Sequence, residues 1–383
     1  MALHVPREEY DARLQAVTAK MAEKKLDALL LFAQESMYWL TGYDTFGFVF
    51  FQCLIVTAKG RLSLITRAPD LRQARHTSVI EEILVWADRA EADPTRALKD
   101  HLFELDLLGA NIGVETQTHG LTAANGRKLD DQLRSFATLS DASPLVRELR
   151  SVKSPVEVEM VRKAAALCDD AHRAGVQEAG PGADEGGILA AMQGAVFAGG
   201  GDYPANGFVI GSGDDALLCR TKTGRNTLDA ADQLTLEIAG VWRHYHAAMM
   251  DTLVIGPPRQ RHLELFDAAE AALDAVVEAM RPGNTFGQVF DAHAKVINDR
   301  GMQALKLNAC GYSLGATFSP SWMDVPMFYH ANPAVIAPNM VLFAHMILLD
   351  SESKTAMTLG RTFLTHDGAP EPLSAIAPAL IRR

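Results

Sequence analysis

The sequence predicts an α/β (α+β) chain in two parts: a sheet covered by helices, then a curved antiparallel sheet with helices packed outside it. Residues 1–149 alternate short apolar runs with helix-spaced stretches, the pattern of a mixed or parallel sheet between helices. Ser154, Pro155 and Glu157 then form a capping-box signature that opens a long helix and sets the boundary between residues 1–149 and 150–383. Beyond it, a helix, Pro-Gly, helix unit at Pro181 returns at Pro282, an offset of 101 residues, and β-type sequence follows each copy.

In order along the chain, residues 8–25 carry helical spacing, and LDALLLFA after them is a largely apolar run that reads as a buried strand. FVFFQCLIVTA, RLSLITRA, EEILVWA and NIGVE are further strands, with helices expected from Thr95 to Leu108 and from Leu121 to Ser135. RELRSVKSP is basic and ends on the cap of the long helix. In the second part, DQLTLEIAGV and HAAMMDTLVIG follow the first helical unit, and NMVLFAHMILLDS and MTLGRTFLTHD follow the second. The echo suggests a duplicated half-domain, although Pro-Gly breaks between helices are common. The concave face of the resulting sheet is the expected site.

Composition narrows the function classes. Of 383 residues, 48% are hydrophobic and 22% charged, which excludes a disordered chain or a disulfide scaffold. Lys and Arg number 36 against 47 Asp and Glu, a formal charge of -11 with no basic cluster, so nucleic acid is not an expected partner. Four widely spaced cysteines with no CxxC pair suit a reducing cytosol. The polar, acidic start lacks the features of a signal or transit peptide, and no apolar run reaches the ~18 residues of a membrane span, so a cytoplasmic location off the membrane is expected.

KKLDALLLFAQESMYWLTGYD resembles the start of the creatinase-type N-terminal domain, and RSVKSPVEVEMVRKAA resembles the opening of the pita-bread domain of prolidase-like (M24) hydrolases. RPGNTFGQV and GYSLG extend the match over nearly the whole chain. The resemblance implies a creatinase-type N-terminal α/β domain followed by a pita-bread catalytic domain. It also implies a homodimer in which YWLTGYDTFGF, with Tyr43 and Phe46, lies near the partner's substrate.

Peptidases of that superfamily hold two divalent metals with two Asp, one His and two Glu, hard ligands that generate a hydroxide nucleophile. On this sequence those positions align with Glu237, Ala248, Tyr312, His345 and a site near Leu359 or Gly360. Only Glu237 and His345 retain a donor, too little charge for two dications, so neither a metal nor another cofactor is expected. GGDYPA, EIAG, RHYH and GYSLG are most similar to the ectoine hydrolase branch, and creatinase is a second relative without the metals. SWMDVPMFYHANP, and Asp251 where relatives carry Arg, depart from the ectoine pattern.

From the residues themselves, Glu237 shares one strand face with Thr235 and Ala239. A carboxylate there, without a metal, suits a general base or nucleophile, unless it pairs with Arg220 or Arg243. His244 and His246 alternate about Tyr245 and are read as facing the vacated metal positions, His246 for proton transfer and His244 for substrate. His345 shares a face with Phe343 and Ile347, as a proton carrier or a core histidine. Tyr312, in a glycine-flanked turn, offers its hydroxyl to an oxyanion. Arg220 suits a carboxylate. Trp322, Asp324 and Phe328 would wall a compact polar substrate, with Asp324 against a cationic group, and Tyr203 in GGDYPA joins them. The expected activity is metal-independent hydrolysis of a C–N bond in a small zwitterionic or amidine-type compound related to ectoine or creatine. An Xaa-Pro dipeptidase with an altered metal site and a non-catalytic binding scaffold are the alternatives.

Overall fold

The computed structural model describes residues 3–221 and 225–383, in two compact units, Met1–Arg150 and Ser151–Arg383. In the first unit, β1 (Ala28–Leu31), β2 (Cys53–Thr57), β3 (Leu62–Arg67), β4 (Glu82–Trp86), β5 (Asn111–Val114) and β6 (Thr138–Asp141) form one sheet in the order β4-β3-β2-β1-β5-β6. Successive residues of β1 feed opposite cores: Leu29 and Leu31 meet Val17 and Met21 of α1 (Arg7–Glu23), whereas Ala28 and Leu30 lie with Leu98, Leu102 and Leu129. That alternation on a wholly apolar strand is the mark of a sheet buried on both faces.

Four elements appear that the sequence did not announce: α2 (Gln34–Thr41), α3 (Leu71–Thr77), β6 and α6 (Ser143–Ser151). Helix α2 has no local side-chain cap. Its start is held instead by the buried Glu115, which accepts from the backbone N–H groups of Phe32 and Ala33 and from the Ser36 hydroxyl. A cap some 80 residues away leaves no signature beside the helix. The remaining helices of this unit are α4 (Pro94–Glu104) and α5 (Ala123–Leu133).

The second unit opens on α7 (Pro155–Glu178), where Ser154 accepts from the Glu157 N–H and Glu157 accepts from the Ser154 N–H, a formed capping box. The two Pro-Gly units are α7 with α8 (Glu185–Ala198), and α9 (Gln260–Ala279) with α10 (Phe286–Asp299). The sheet comprises β7 (Val209–Ser212), β8 (Asp232–Trp242), β9 (Tyr245–Ile255), β10 (Ala309–Ser313), β11 (Asp324–Tyr329), β12 (Val341–Asp350) and β13 (Thr355–Leu364), in the order β11-β10-β12-β13-β9-β8-β7. Read outward from the β13/β9 seam, one side is the β9–β8 hairpin followed by the shorter β7, and the other is the β13–β12 hairpin followed by the shorter β10 and β11, so each helical unit precedes one of the two central hairpins. Two short strands flank this path, β14 (Glu371–Pro372) pairing with β13 and β15 (Ile381–Arg382) pairing with β9.

The helices occupy one face only. A Cβ on Gly240 would strike the backbone of Ala164 and Cys168 in α7, so glycine permits this close approach. On that same face Asp251 lies 3.0 Å from Arg361 of β13 and 2.9 Å from His172 of α7, all three buried. The opposite, helix-free face of the sheet carries Glu237.

Candidate active site

Glu237 sits midway along β8, and the strand register extends it into a row. It faces Met250 on β9, which faces Gly360 on β13, which faces His345 on β12. Cross-strand partners share a face and neighbours along a strand alternate. Ala239, His246 and Ala248 therefore join Glu237, whereas Leu236, Asp251 and Leu359 point to the helices. Strand β10 adds Tyr312, opposite Phe343. Of Leu359 and Gly360, the residue on the site face is thus Gly360, which has no side chain. A Cβ there would meet the Phe343 ring at 2.7 Å and the Met250 Cβ at 3.0 Å.

This face carries Ala248 and Gly360 at two positions where the resemblance places metal ligands, with Met250 and Phe343 against Gly360. Among the described residues no group of three or more His, Cys, Asp or Glu is placed to hold a metal ion. The donor set does not fit a dinuclear centre, which needs several anionic or imidazole ligands around each ion.

Glu237, Arg220, Tyr312, Trp322, Asn206 and Cys219 line a cavity of about 340 Å³, a volume suited to a small substrate. The Tyr312 hydroxyl donates to Glu237 Oε1 at 3.1 Å, and Trp322 Nε1 donates to the Tyr312 oxygen at 2.8 Å. Trp322 is anchored in turn by its backbone N–H, which donates to Asn206 Oδ1 at 2.9 Å. Burial pushes the Glu237 carboxyl up to about 7, against the opposing pull of the Tyr312 hydrogen bond and the Arg220 guanidinium. Burial, and next the charge of Glu237, pushes the Tyr312 phenol well above its usual range, so it remains a neutral donor. Arg220 is exposed at the cavity and has no hydrogen-bond or ion-pair partner among the described residues.

His246 lies on the site face, but both ring nitrogens are engaged. Nε2 accepts from the Ala205 N–H at 3.0 Å, so in the neutral ring Nδ1 carries the hydrogen and donates to His244 O at 2.7 Å, with the Thr317 hydroxyl 3.1 Å away. Burial lowers its pKa to about 3. This ring is a neutral strut under the segment that bears Trp322, and it has no free nitrogen for proton transfer. His345 packs against Tyr312 and Phe343 at 5.5 Å each, with Nδ1 buried and unpartnered, and burial lowers it to about 4. It stands behind Tyr312 and does not line the cavity.

Two local readings are corrected. His244 does not alternate with His246 on β9, because Arg243 and His244, at φ 53° and 64°, form the two-residue turn between β8 and β9. Its ring instead stacks on Phe318 at 4.2 Å. Tyr312 lies within strand β10, not in a turn. Gly311 serves close strand packing, since a Cβ there would strike Phe343 O.

Two other expected residues of the second unit do not line the cavity. Tyr203 is 81% exposed and rests on Phe197, and Asp324 begins β11 near Gly315 and Lys153. Within the first unit, Tyr43 is buried with its hydroxyl donating to Gln52 Oε1, and Phe46 is 82% exposed. Asn206, Cys219 and Thr317 escaped the sequence reading. Asn206 and Thr317 are short polar residues in loops whose role depends on partners distant in sequence, and Cys219 is a lone thiol that burial, more than the Glu237 charge, pushes above its usual range.

Residues 159–366 match the model of metallopeptidase family M24, and residues 13–152 match that of the creatinase/prolidase N-terminal domain. Over 359 residues the chain is 26% identical to the ectoine hydrolase of Halomonas elongata, covering 89% of each. It is 30% identical to an uncharacterised hydrolase/peptidase of Sinorhizobium fredii over 387 residues, 96% of this chain and 95% of that one. Its fold is similar to that of a recombinant prolidase from Thermococcus sibiricus, with a TM-score of 0.88 at 18% identity over 98% of this chain and 99% of that chain. With the family match spanning more than half of its length and a pita-bread sheet behind the cavity, the chain belongs to metallopeptidase family M24 and is a hydrolase of that family, preceded by a creatinase/prolidase N-terminal domain.

Proposed function

We propose that the protein is a metal-independent hydrolase of a C–N bond in a small zwitterionic or amidine-type compound, ectoine-like or creatine-like, with Glu237 as the activating or attacking carboxylate. The observation that carries this is a single carboxylate, raised toward neutrality, lining a small cavity on a face where the metal-donor positions hold Ala248 and Gly360. A base with pKa near 7 accepts a proton from water most effectively at neutral pH. Arg220, without a hydrogen-bond or ion-pair partner among the described residues, suits the substrate's carboxylate. The likeness to the ectoine hydrolase of Halomonas elongata supports this substrate class. We further place the enzyme in the cytoplasm as a homodimer acting on a small molecule, without nucleic acid or membrane. No helix among the described residues is long and apolar enough to cross a membrane.

The test is a panel of ectoine, creatine, cyclic amidines and Xaa-Pro dipeptides assayed in excess chelator, with Glu237→Gln alongside the wild type. Chelation should leave turnover unchanged. Glu237→Gln keeps the volume and one acceptor but loses basicity, so the rate should fall by ~100-fold or more, and further if the carboxylate is a covalent nucleophile. An adduct on the Glu237 peptide in protein quenched during turnover would mark the nucleophile. A variant that retained over about a tenth of the rate, or Xaa-Pro cleavage abolished by chelation from a protein holding two metals per chain, would overturn the proposal.

A further inference from the structure

Tyr312 has one hydroxyl hydrogen, and that hydrogen is committed to Glu237 Oε1. Its oxygen has two lone pairs, one of which receives Trp322 Nε1–H. The second lone pair is left to accept. Trp322 in turn is fixed through its backbone to Asn206, and neither aromatic is more than 2% exposed. A donor tied to a carboxylate is withheld from any substrate oxygen, and the tie is only as strong as the negative charge that accepts it.

We propose that Tyr312 is a switched oxyanion donor whose hydrogen turns from Glu237 to the substrate oxygen when the carboxylate becomes protonated, with Trp322 as the positioning residue that holds the phenol oxygen in place. This deepens the reading of Glu237 as a general base and rests on it. Glu237 takes a proton from water, the water oxygen bonds to the C–N carbon, and the electron pair of the C=O or C=N double bond moves to its heteroatom. The new carboxyl O–H donates into the vacant lone pair of Tyr312. The phenol hydrogen is released toward the heteroatom that has just gained charge, where a preorganised donor is most effective. When the C–N bond breaks, Glu237 returns its proton to the leaving nitrogen and recaptures the phenol hydrogen. No heavy atom needs to move.

Among the described residues, Arg220 and Cys219 beside the cavity, Tyr312 from β10, His345 behind it and His246 from β9, with both ring nitrogens engaged, are the titratable or charged groups on the Glu237 face, whereas Asp251, Arg361 and, from α7, Cys168, Asp169 and His172 belong to the helix side of the sheet. Among the described residues only Tyr312 hydrogen-bonds the carboxylate, and that bond favours its charged form, as the Arg220 charge does from farther off. Losing that bond must therefore move the Glu237 titration upward.

The test needs no substrate at first. Tryptophan fluorescence of the intact protein is followed from pH 5 to 9, and the component belonging to Trp322 is taken as the part lost in Trp322→Phe. It should titrate near pH 7 in the wild type, lose this transition in Glu237→Gln, and show a higher midpoint in Tyr312→Phe. With a substrate from the panel, Tyr312→Phe should lower kcat by ~100-fold, with KM held within about threefold, and shift the acid limb of the pH profile upward. Trp322→Phe, which keeps the ring bulk, should cost less in kcat and also shift that limb. An unmoved midpoint, or a Tyr312→Phe rate within about threefold of wild type while Glu237→Gln is dead, would overturn the switch and spare the general base. An active Glu237→Gln would instead remove the function on which the switch rests.

Discussion

A carboxylate kept half-protonated near neutrality reverses the usual dependence of stability on pH. Most acidic groups are depressed by folding and lose their contribution in acid, whereas Glu237 is raised to about 7 from an unfolded value of ~4.3. Between those values the folded chain binds more protons than the unfolded one. The stability linked to this proton is complete below the lower value and is lost as pH rises through the upper one. Glu237→Gln, neutral at every pH, escapes the loss. Its melting temperature should exceed that of the wild type by more at pH 8 than at pH 5, and a difference flat from pH 5 to 8 would place the carboxylate in solvent-like surroundings. At this scale the sequence showed which side chains are unusual but not what they touch. Glu237 stood out as a carboxylate in mid-strand, and its face was legible from alternation alone. His246 stood out equally, yet its fixed, neutral role depends on Ala205 and Thr317, 41 and 71 residues away.

Elements are joined behind the site by a buried ion group, in which Asp251 of β9 meets Arg361 of β13 and His172 of α7. Asp251 stood out in the sequence as a departure from the ectoine-type pattern, but its partner Arg361 lies 110 residues on. Removing one member of a buried pair leaves an unmatched charge, which typically costs ~3–5 kcal/mol, while replacing both by apolar side chains is often nearly neutral. Asp251→Ala should therefore lower the unfolding free energy from urea titration by that order, and Asp251→Leu with Arg361→Met should recover most of the loss. A single-variant cost below about 1 kcal/mol, the range of exposed pairs, would contradict the buried role. Elements were legible where their ends carried local chemistry. The capping box of α7 did, whereas α2, whose cap is Glu115, did not. Glycines misled at Gly311, because both a turn and a close strand crossing require one.

For the whole molecule, the repeated Pro-Gly units foretold two similar halves, but nothing local foretold that they meet at β9 and β13. The first unit leaves Phe46 at 82%, Val49 at 58% and Phe50 at 47% exposure within one short segment, an apolar surface costly to leave in water. We expect a homodimer at micromolar concentration by light scattering, and a monomer there would refute it. Glu237 and Arg220 come from the first copy, whereas Tyr312 and Trp322 come from the second, and the strand Ile381–Arg382 crosses back onto β9 like a stitch. Neither copy inherits a working reaction centre, so natural selection acts on the seam. Each half of the second unit can drift in its own sequence only as far as its counterpart follows, because the cavity is divided between them.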